Sequence, residues 1–232
     1  MKYALITGAG RGLGVGFCQV LVDMGYTVFA AMRDTSNFVY THERVRPIVL
    51  DVEDDDTIKK ACAEISASGC TIDLLINNAG VSKRSASVGG IEKVTDLEYA
   101  DRKALLHMFN VNSISPLIII KHCLPLMSTE NTCFIINITS GRASFTNESP
   151  NANYGYRASK VALNMFTKAL LHDLPKNVQI FAVHPGLVRT DMNPDGDTEP
   201  NDAAKNILAI INPWDQSKNG AYLNYDGKIF PN

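Results

Sequence analysis

The sequence predicts an α/β domain: a doubly wound parallel sheet of about seven strands with helices on both faces. Three observations predict it. Apolar, β-rich runs recur along the 232 residues and alternate with segments of helical periodicity. Most of those runs are continuously apolar rather than alternating, as strands covered on both faces are. A glycine-rich loop joins the first run to the first helical segment.

The expected strands, in order, are YALIT (3–7), TVFAAM (27–32), VRPIVL (45–50), IDLLIN (72–77), CFIINI (133–138), VQIFAV (178–183) and AYLNY (221–225). Between the first two, Leu13, Phe17, Val20, Leu21 and Met24 fall on one helical face. After the third, EDDD (53–56) reads as the N-terminal cap of a helix whose inner face is Ile58, Ala61, Cys62 and Ile65. A further helix is expected from Asn153 or Tyr154 to about Leu174. No linker or repeat interrupts the pattern, so residues 1–232 are expected to form one domain. Two turn-rich stretches, 140–152 and 193–202, follow strands and are expected to border a ligand site there.

Composition narrows the function. A net charge of −2 with interspersed signs gives no basic field for nucleic acid. Five scattered cysteines without a Cys-x-x-Cys read as thiols in a reducing compartment, and no histidine spacing suggests a metal. Apolar runs such as PLIII at 116–120 are far too short to span a bilayer. A chain that opens directly on a strand is expected to carry no leader and to be cytoplasmic.

The loop TGAGRGLG (7–14) can bring backbone amides of a helix N-terminus to a pyrophosphate, with Gly8, Gly12 and Gly14 permitting the tight turn. Its spacing is not G-x-G-x-x-G. The second strand ends in AAMRD, with Met32 where an acid would read a ribose 2′-hydroxyl and Arg33 next to it. Together with Arg11 in the loop, this points to NADP(H).

In YGYRASK (154–160), Tyr156 and Lys160 lie one helical turn apart, whereas Tyr154 is about 240° from Lys160. Tyr156 alone can share a site with that lysine on the same helix. A nearby ammonium lowers a phenol's pKa and makes it a usable acid and base. Pro116, four residues after Asn112, removes the amide that would bond the Asn112 carbonyl in a helix.

TGAGRGLG, LDV (50–52), NNAG (77–80), VNSISP (111–116), NITS (137–140), YRASK (156–160) and HPGLVRTDM (184–192) occur in the order seen in the short-chain dehydrogenase/reductases. The chain resembles the single-domain branch of that family nearly end to end, and within it the C-factor/sniffer-type carbonyl reductases. The resemblance implies a Rossmann-type fold and an NADPH-dependent reduction of an aldehyde, ketone or quinone. It implies catalytic roles for Asn112, Ser140, Tyr156 and Lys160, with Lys160 lowering the tyrosine's pKa. Cofactor contacts are implied for Gly8, Arg11, Gly12, Leu13, Gly14 and Arg33, for Asp51, Val52, Asn78, Ala79 and Gly80, and for Tyr156 and Lys160. Pro185, Gly186, Val188 and Thr190 complete the set.

The gap from Ser140 to Tyr156 is slightly longer than is usual in the family, which bears on substrate size. Expected pocket residues are Ser82, Arg142, Phe145, Tyr154 and Met192. The partner is a small carbonyl or alcohol, with no nucleic acid, metal or membrane. Segments 117–127 and 161–174 are apolar around more than one face, and the resemblance implies a homodimer or tetramer built on them. The alternative is a catalytically weak dinucleotide sensor on the same fold.

Overall fold

A computed structural model describes residues 1–82, 97, 100–146 and 152–231. All seven expected strands form, with ends shifted by a residue or two. The order along the chain is β1 (Lys2–Thr7), α1 (Gly12–Asp23), β2 (Tyr26–Met32), β3 (Val45–Val49), α2 (Asp55–Ala67) and β4 (Leu74–Asn77). Then come α3 (Arg102–Phe109), α4 (Ser115–Cys123), β5 (Cys133–Ile138), α5 (Tyr154–Ala169), β6 (Val178–His184), α6 (Pro200–Ala209) and β7 (Tyr222–Asn224). Every pairing is parallel, and the strand order is β3-β2-β1-β4-β5-β6-β7. The order reverses direction between β1 and β4, where a doubly wound sheet opens a crevice at its carboxyl edge.

The continuous apolar runs are buried on both sides. Ala4 and Ile6 of β1 join one core cluster with Phe17 and Leu21 of α1 and Ile207 of α6. Leu5, between them, joins the opposite cluster with Ile58 and Ile65 of α2 and Ile119 of α4. Strand pleating sends alternate side chains to opposite faces, so each face needs its own helical cover. Gly16 lets α1 approach α6, since a Cβ there would sit 2.6 Å from the Pro200 carbonyl oxygen.

Several boundaries differ from the sequence expectation for physical reasons. The EDDD segment does cap α2: Asp54 accepts from the amides of Asp56 and Thr57. Met24, expected on the inner face of α1, is 46% exposed, because the helix ends there against Gly25 at φ 86°. Helix α5 stops at Ala169 rather than near Leu174, and a tight 3₁₀ turn, Leu170–His172, closes it ahead of Pro175. In the apolar segments 117–127 and 161–174, Ile119, Ile120, Cys123 and Leu163 are buried, while Met165 is 65% exposed. The helical stretch Arg102–Leu126 is long and apolar enough to cross a membrane by length and composition, with half of its most apolar window buried in the fold.

Between α3 and α4 the helix widens into a π turn, Asn110–Ile114, closed by the Ser115 amide on the Asn110 carbonyl. Pro116 lies just beyond it. The break foreseen around Asn112 therefore takes the form of a bulge inside a continuing helix.

Candidate active site

A cleft of about 1010 Å³ lies at the carboxyl edge of the sheet, lined by the loops that follow β1 to β6. Its floor is organised by side chains that hold backbone. Thr7 Oγ1 accepts from the amides of Asn78 and Ala79, both at 3.1 Å. Asn78 Nδ2 returns hydrogen bonds to the carbonyls of Thr7 at 3.0 Å and Gly8 at 3.1 Å. The two loops at the sheet's reversal point are thus stapled together. Gly8, at φ 64°, has no room for a Cβ, which would stand 2.9 Å from the Ala79 Cα.

Of the residues implied for cofactor, Gly8, Arg11, Gly12, Leu13, Arg33, Asp51, Val52, Asn78, Ala79 and Gly80 all line this cleft. So do Tyr156, Lys160, Pro185, Gly186, Val188 and Thr190. Gly14 does not line it. A Cβ at Gly14 would strike the Gly8 carbonyl, so this glycine is required by the packing of the turn. Asp51 is held in place as well: its Oδ1 accepts from the Glu53 amide at 3.1 Å.

The charged groups at the β2 end of the cleft differ in their freedom. Arg11 pairs with Asp191 at 3.0 Å across the cleft, both side chains being well exposed. Among the described residues no ion pair engages Arg33. Met32 is buried at the end of β2. The acid nearest it in sequence, Asp34, is committed to Ser36, accepting from its hydroxyl at 2.6 Å and its amide at 2.9 Å. Those two bonds hold the Asp34 carboxyl below its usual value.

At the other end stand Ser140, Tyr156 and Lys160. Ser140 follows β5 and caps a short turn, its Oγ accepting from the Arg142 amide at 3.2 Å. Its hydroxyl also hydrogen-bonds the Tyr156 phenol. Lys160 is 4% exposed, and its Nζ donates to the Ile138 carbonyl at 2.8 Å. Burial lowers its pKa to about 8. Gly80 lies beside it, and a Cβ there would crowd Asn112 Oδ1 at 3.2 Å.

Tyr156 departs from the expected direction. Burial raises its pKa, opposed by a hydrogen bond with Ser140 and by the charge of Arg142. Desolvation outweighs that hydrogen bond and the Arg142 charge, so the net direction is upward. Asn112 does not line the cleft. It is fully buried behind the wall, with Oδ1 accepting from the Val81 amide at 2.9 Å. Its Nδ2 donates to the Val81 carbonyl at 2.9 Å and to Ser159 Oγ at 3.0 Å. Asn112 therefore positions the Gly80–Val81 wall and, through Ser159, the helix that carries Tyr156.

Among the expected pocket residues, Ser82, Arg142 and Met192 line the cleft. Phe145, 81% exposed, and Tyr154, 43% exposed, do not. Residues 147–151 of the longer loop fall outside the described residues. Of the second turn-rich stretch, Asn193 lines the cleft.

The cleft fits a nicotinamide dinucleotide. The N-cap of α1 has no side-chain hydrogen bond and its first turn carries no acid, which leaves amides available to a phosphate. Glycines 8 and 12 keep that turn bare at positive φ, and Lys160 supplies a buried donor at the far end.

The family model for short chain dehydrogenases matches residues 2–201. The chain belongs to the short-chain dehydrogenase family. It is 32% identical over 166 residues to C-signal of Myxococcus xanthus, covering 70% of this chain and 95% of that one. The carbonyl reductase Sniffer of D. melanogaster superposes with a TM-score of 0.87 at 27% identity, over 100% of this chain and 99% of that one. An NADPH-bound carbonyl reductase from chicken fatty liver gives 0.86 at 26%, with the same coverage. This dehydrogenase is accordingly an oxidoreductase using a nicotinamide dinucleotide.

Sequence reasoning did not single out His184 as a site residue. It ends β6, lines the cleft, and its Nε2 would lie 3.1 Å from a Cβ at Gly141. Desolvation lowers its pKa from 6.5 to about 4. The unfolded chain then binds the extra proton between those values, so stability is lost as pH falls through that window. His184→Gln should remove this dependence. Denaturant melts at pH 7 and pH 4 should show the variant losing about 3 kcal/mol less than the wild type; equal losses would refute the assignment.

Proposed function

We propose that this dehydrogenase is an NADPH-dependent carbonyl reductase acting on an aldehyde, ketone or quinone. The observation that carries the reading is the convergence of Ser140, Tyr156 and Lys160 at one end of a dinucleotide-sized cleft. When bound, the nicotinamide supplies or takes up the hydride. Tyr156 gives its phenolic proton to the carbonyl oxygen. Its raised pKa keeps that proton in place at neutral pH until a developing alkoxide takes it. Ser140 donates its hydroxyl hydrogen to the same oxygen. Lys160, with a pKa of about 8, is charged at neutrality yet close enough to release a proton toward the tyrosine's side of the cleft.

Preference for NADPH over NADH is supported by the absence of an acid at the end of β2, by the engagement of Asp34 with Ser36, and by Arg33 on the cleft wall. The chicken carbonyl reductase described as NADPH-bound is consistent with it. The relative named C-signal lends some weight to a binding or signalling role on the same fold. Tight NADPH binding without turnover of any carbonyl would favour that second reading.

Two measurements test the proposal. Tyr156→Phe should lower kcat roughly 100- to 10,000-fold across a panel of aldehydes, ketones and quinones; wild-type rates in the variant would overturn the role. Arg33→Ala should weaken NADPH binding by roughly 10- to 100-fold and leave NADH binding nearly unchanged; equal effects on the two would refute the 2′-phosphate reading.

A further inference from the structure

The family match ends at residue 201, yet the chain beyond it reaches the centre of the site. Strand β7 pairs in parallel with β6, Tyr222 beside Ala182 and Asn224 beside His184. The chain then turns at Gly227, at φ 79°, and comes back antiparallel, with Leu223 bridging Ile229. The Asn224 amide donates to the Lys228 carbonyl and the Phe230 amide to the Tyr222 carbonyl, both at 2.8 Å. The result is a short hairpin, Tyr222–Phe230, lying against the ends of β5 and β6.

Three contacts join this hairpin to the reacting end of the cleft. The Tyr222 hydroxyl donates to the Ser140 carbonyl at 2.7 Å, and Tyr222 itself is 7% exposed. Phe230 packs its ring on Tyr222 at 4.9 Å and edge-on to His184 at 5.4 Å, and would lie 3.4 Å from a Cβ at Gly141. Tyr225 covers Gly186, where a Cβ would come 3.2 Å from the ring. The hairpin therefore touches both the serine turn after β5 and the Pro185–Gly186 loop after β6.

Ser140 is held from several sides, its side chain hydrogen-bonding Tyr156. Its carbonyl accepts from the Ala143 amide at 2.8 Å and from Tyr222, and its Oγ accepts from the Arg142 amide. The Tyr222 bond ties this turn to β7, a different strand of the sheet. Burial raises the Tyr222 pKa, with the neighbouring Tyr156 adding to the effect, so its phenol stays a hydrogen-bond donor over the working pH range.

We propose that Tyr222 is a positioning residue for the reaction, fixing the Ser140 turn so that the serine hydroxyl meets the carbonyl oxygen beside Tyr156, with Phe230 locking the Tyr222 ring. This rests on the reductase reading above. The hydrogen bond is made to backbone, so it does not depend on which carbonyl is bound. It orients the group that completes the site, and small misplacements of such groups are costly in rate.

The test is a double-mutant cycle on the full-length enzyme. Tyr222→Phe removes one oxygen and keeps the ring that packs on Phe230, so the fold is retained. It should lower kcat for the carbonyl substrate roughly 10- to 100-fold while leaving the Kd for NADPH unchanged. Combined with Ser140→Ala, it should add little to the loss that Ser140→Ala causes alone. Wild-type kcat in Tyr222→Phe, or fully additive losses in the double variant, would overturn the inference. If the wild type turned over neither carbonyls nor alcohols, the reductase reading would fall, and the inference with it.

Discussion

A lysine ammonium buried at the bottom of the cleft is the constraint around which this site is arranged. Removing a charge from water is costly unless polar partners replace the solvent. Among the described residues the direct hydrogen-bond partner of Lys160 is the Ile138 carbonyl at the end of β5. The neighbours of the lysine pack closely around it. Gly80 presents no side chain, and the Thr139 hydroxyl donates to the Lys160 carbonyl at 3.4 Å. The price is a pKa brought down to about 8, which places the lysine near neutrality where a proton can be passed.

The rest of the site follows from where the sheet puts its strand ends. β1 and β4 part at the reversal point, and Thr7 and Asn78 close the gap with four hydrogen bonds. β5 delivers Ile138 and Ser140, and β6 delivers His184 and the loop beyond it. Helix α5 carries Tyr156 across this edge, and the Asn112–Ser159 bond sets its height against the wall. Ser159 also donates to the Tyr156 carbonyl at 2.9 Å, so the buried asparagine is linked to the backbone of the tyrosine itself.

Features that are local in sequence were legible before the structure. The glycine loop announces a turn that needs positive φ, and the four-residue spacing of Tyr156 and Lys160 announces a shared helix face. The capping role of Asp54 and the break near Pro116 were legible for the same reason. The direction of the Tyr156 shift was not, because burial depends on packing that spacing does not encode. Nor were the long-range ties. The bond from Tyr222 to Ser140 spans 82 residues, and the pair of Arg11 with Asp191 spans 180. Such contacts exist only once β7 is laid beside β6 and the loop after β6 meets the loop after β1. Tyr154 shows the complementary limit: its place at the helix entrance, just after the loop from Ser140, suggested a packing or pocket-wall residue, but it is 43% exposed and does not line the cleft.

The claim that a buried Lys160 governs proton delivery is tested most directly by the pH dependence of kcat for carbonyl reduction under saturating NADPH. Burial holds the Tyr156 phenol above its ordinary value of 10.0, whereas it brings Lys160 down to about 8. The account predicts a plateau at neutral pH and a fall with an apparent pKa near 8. A plateau that continued unchanged past pH 10 would contradict it.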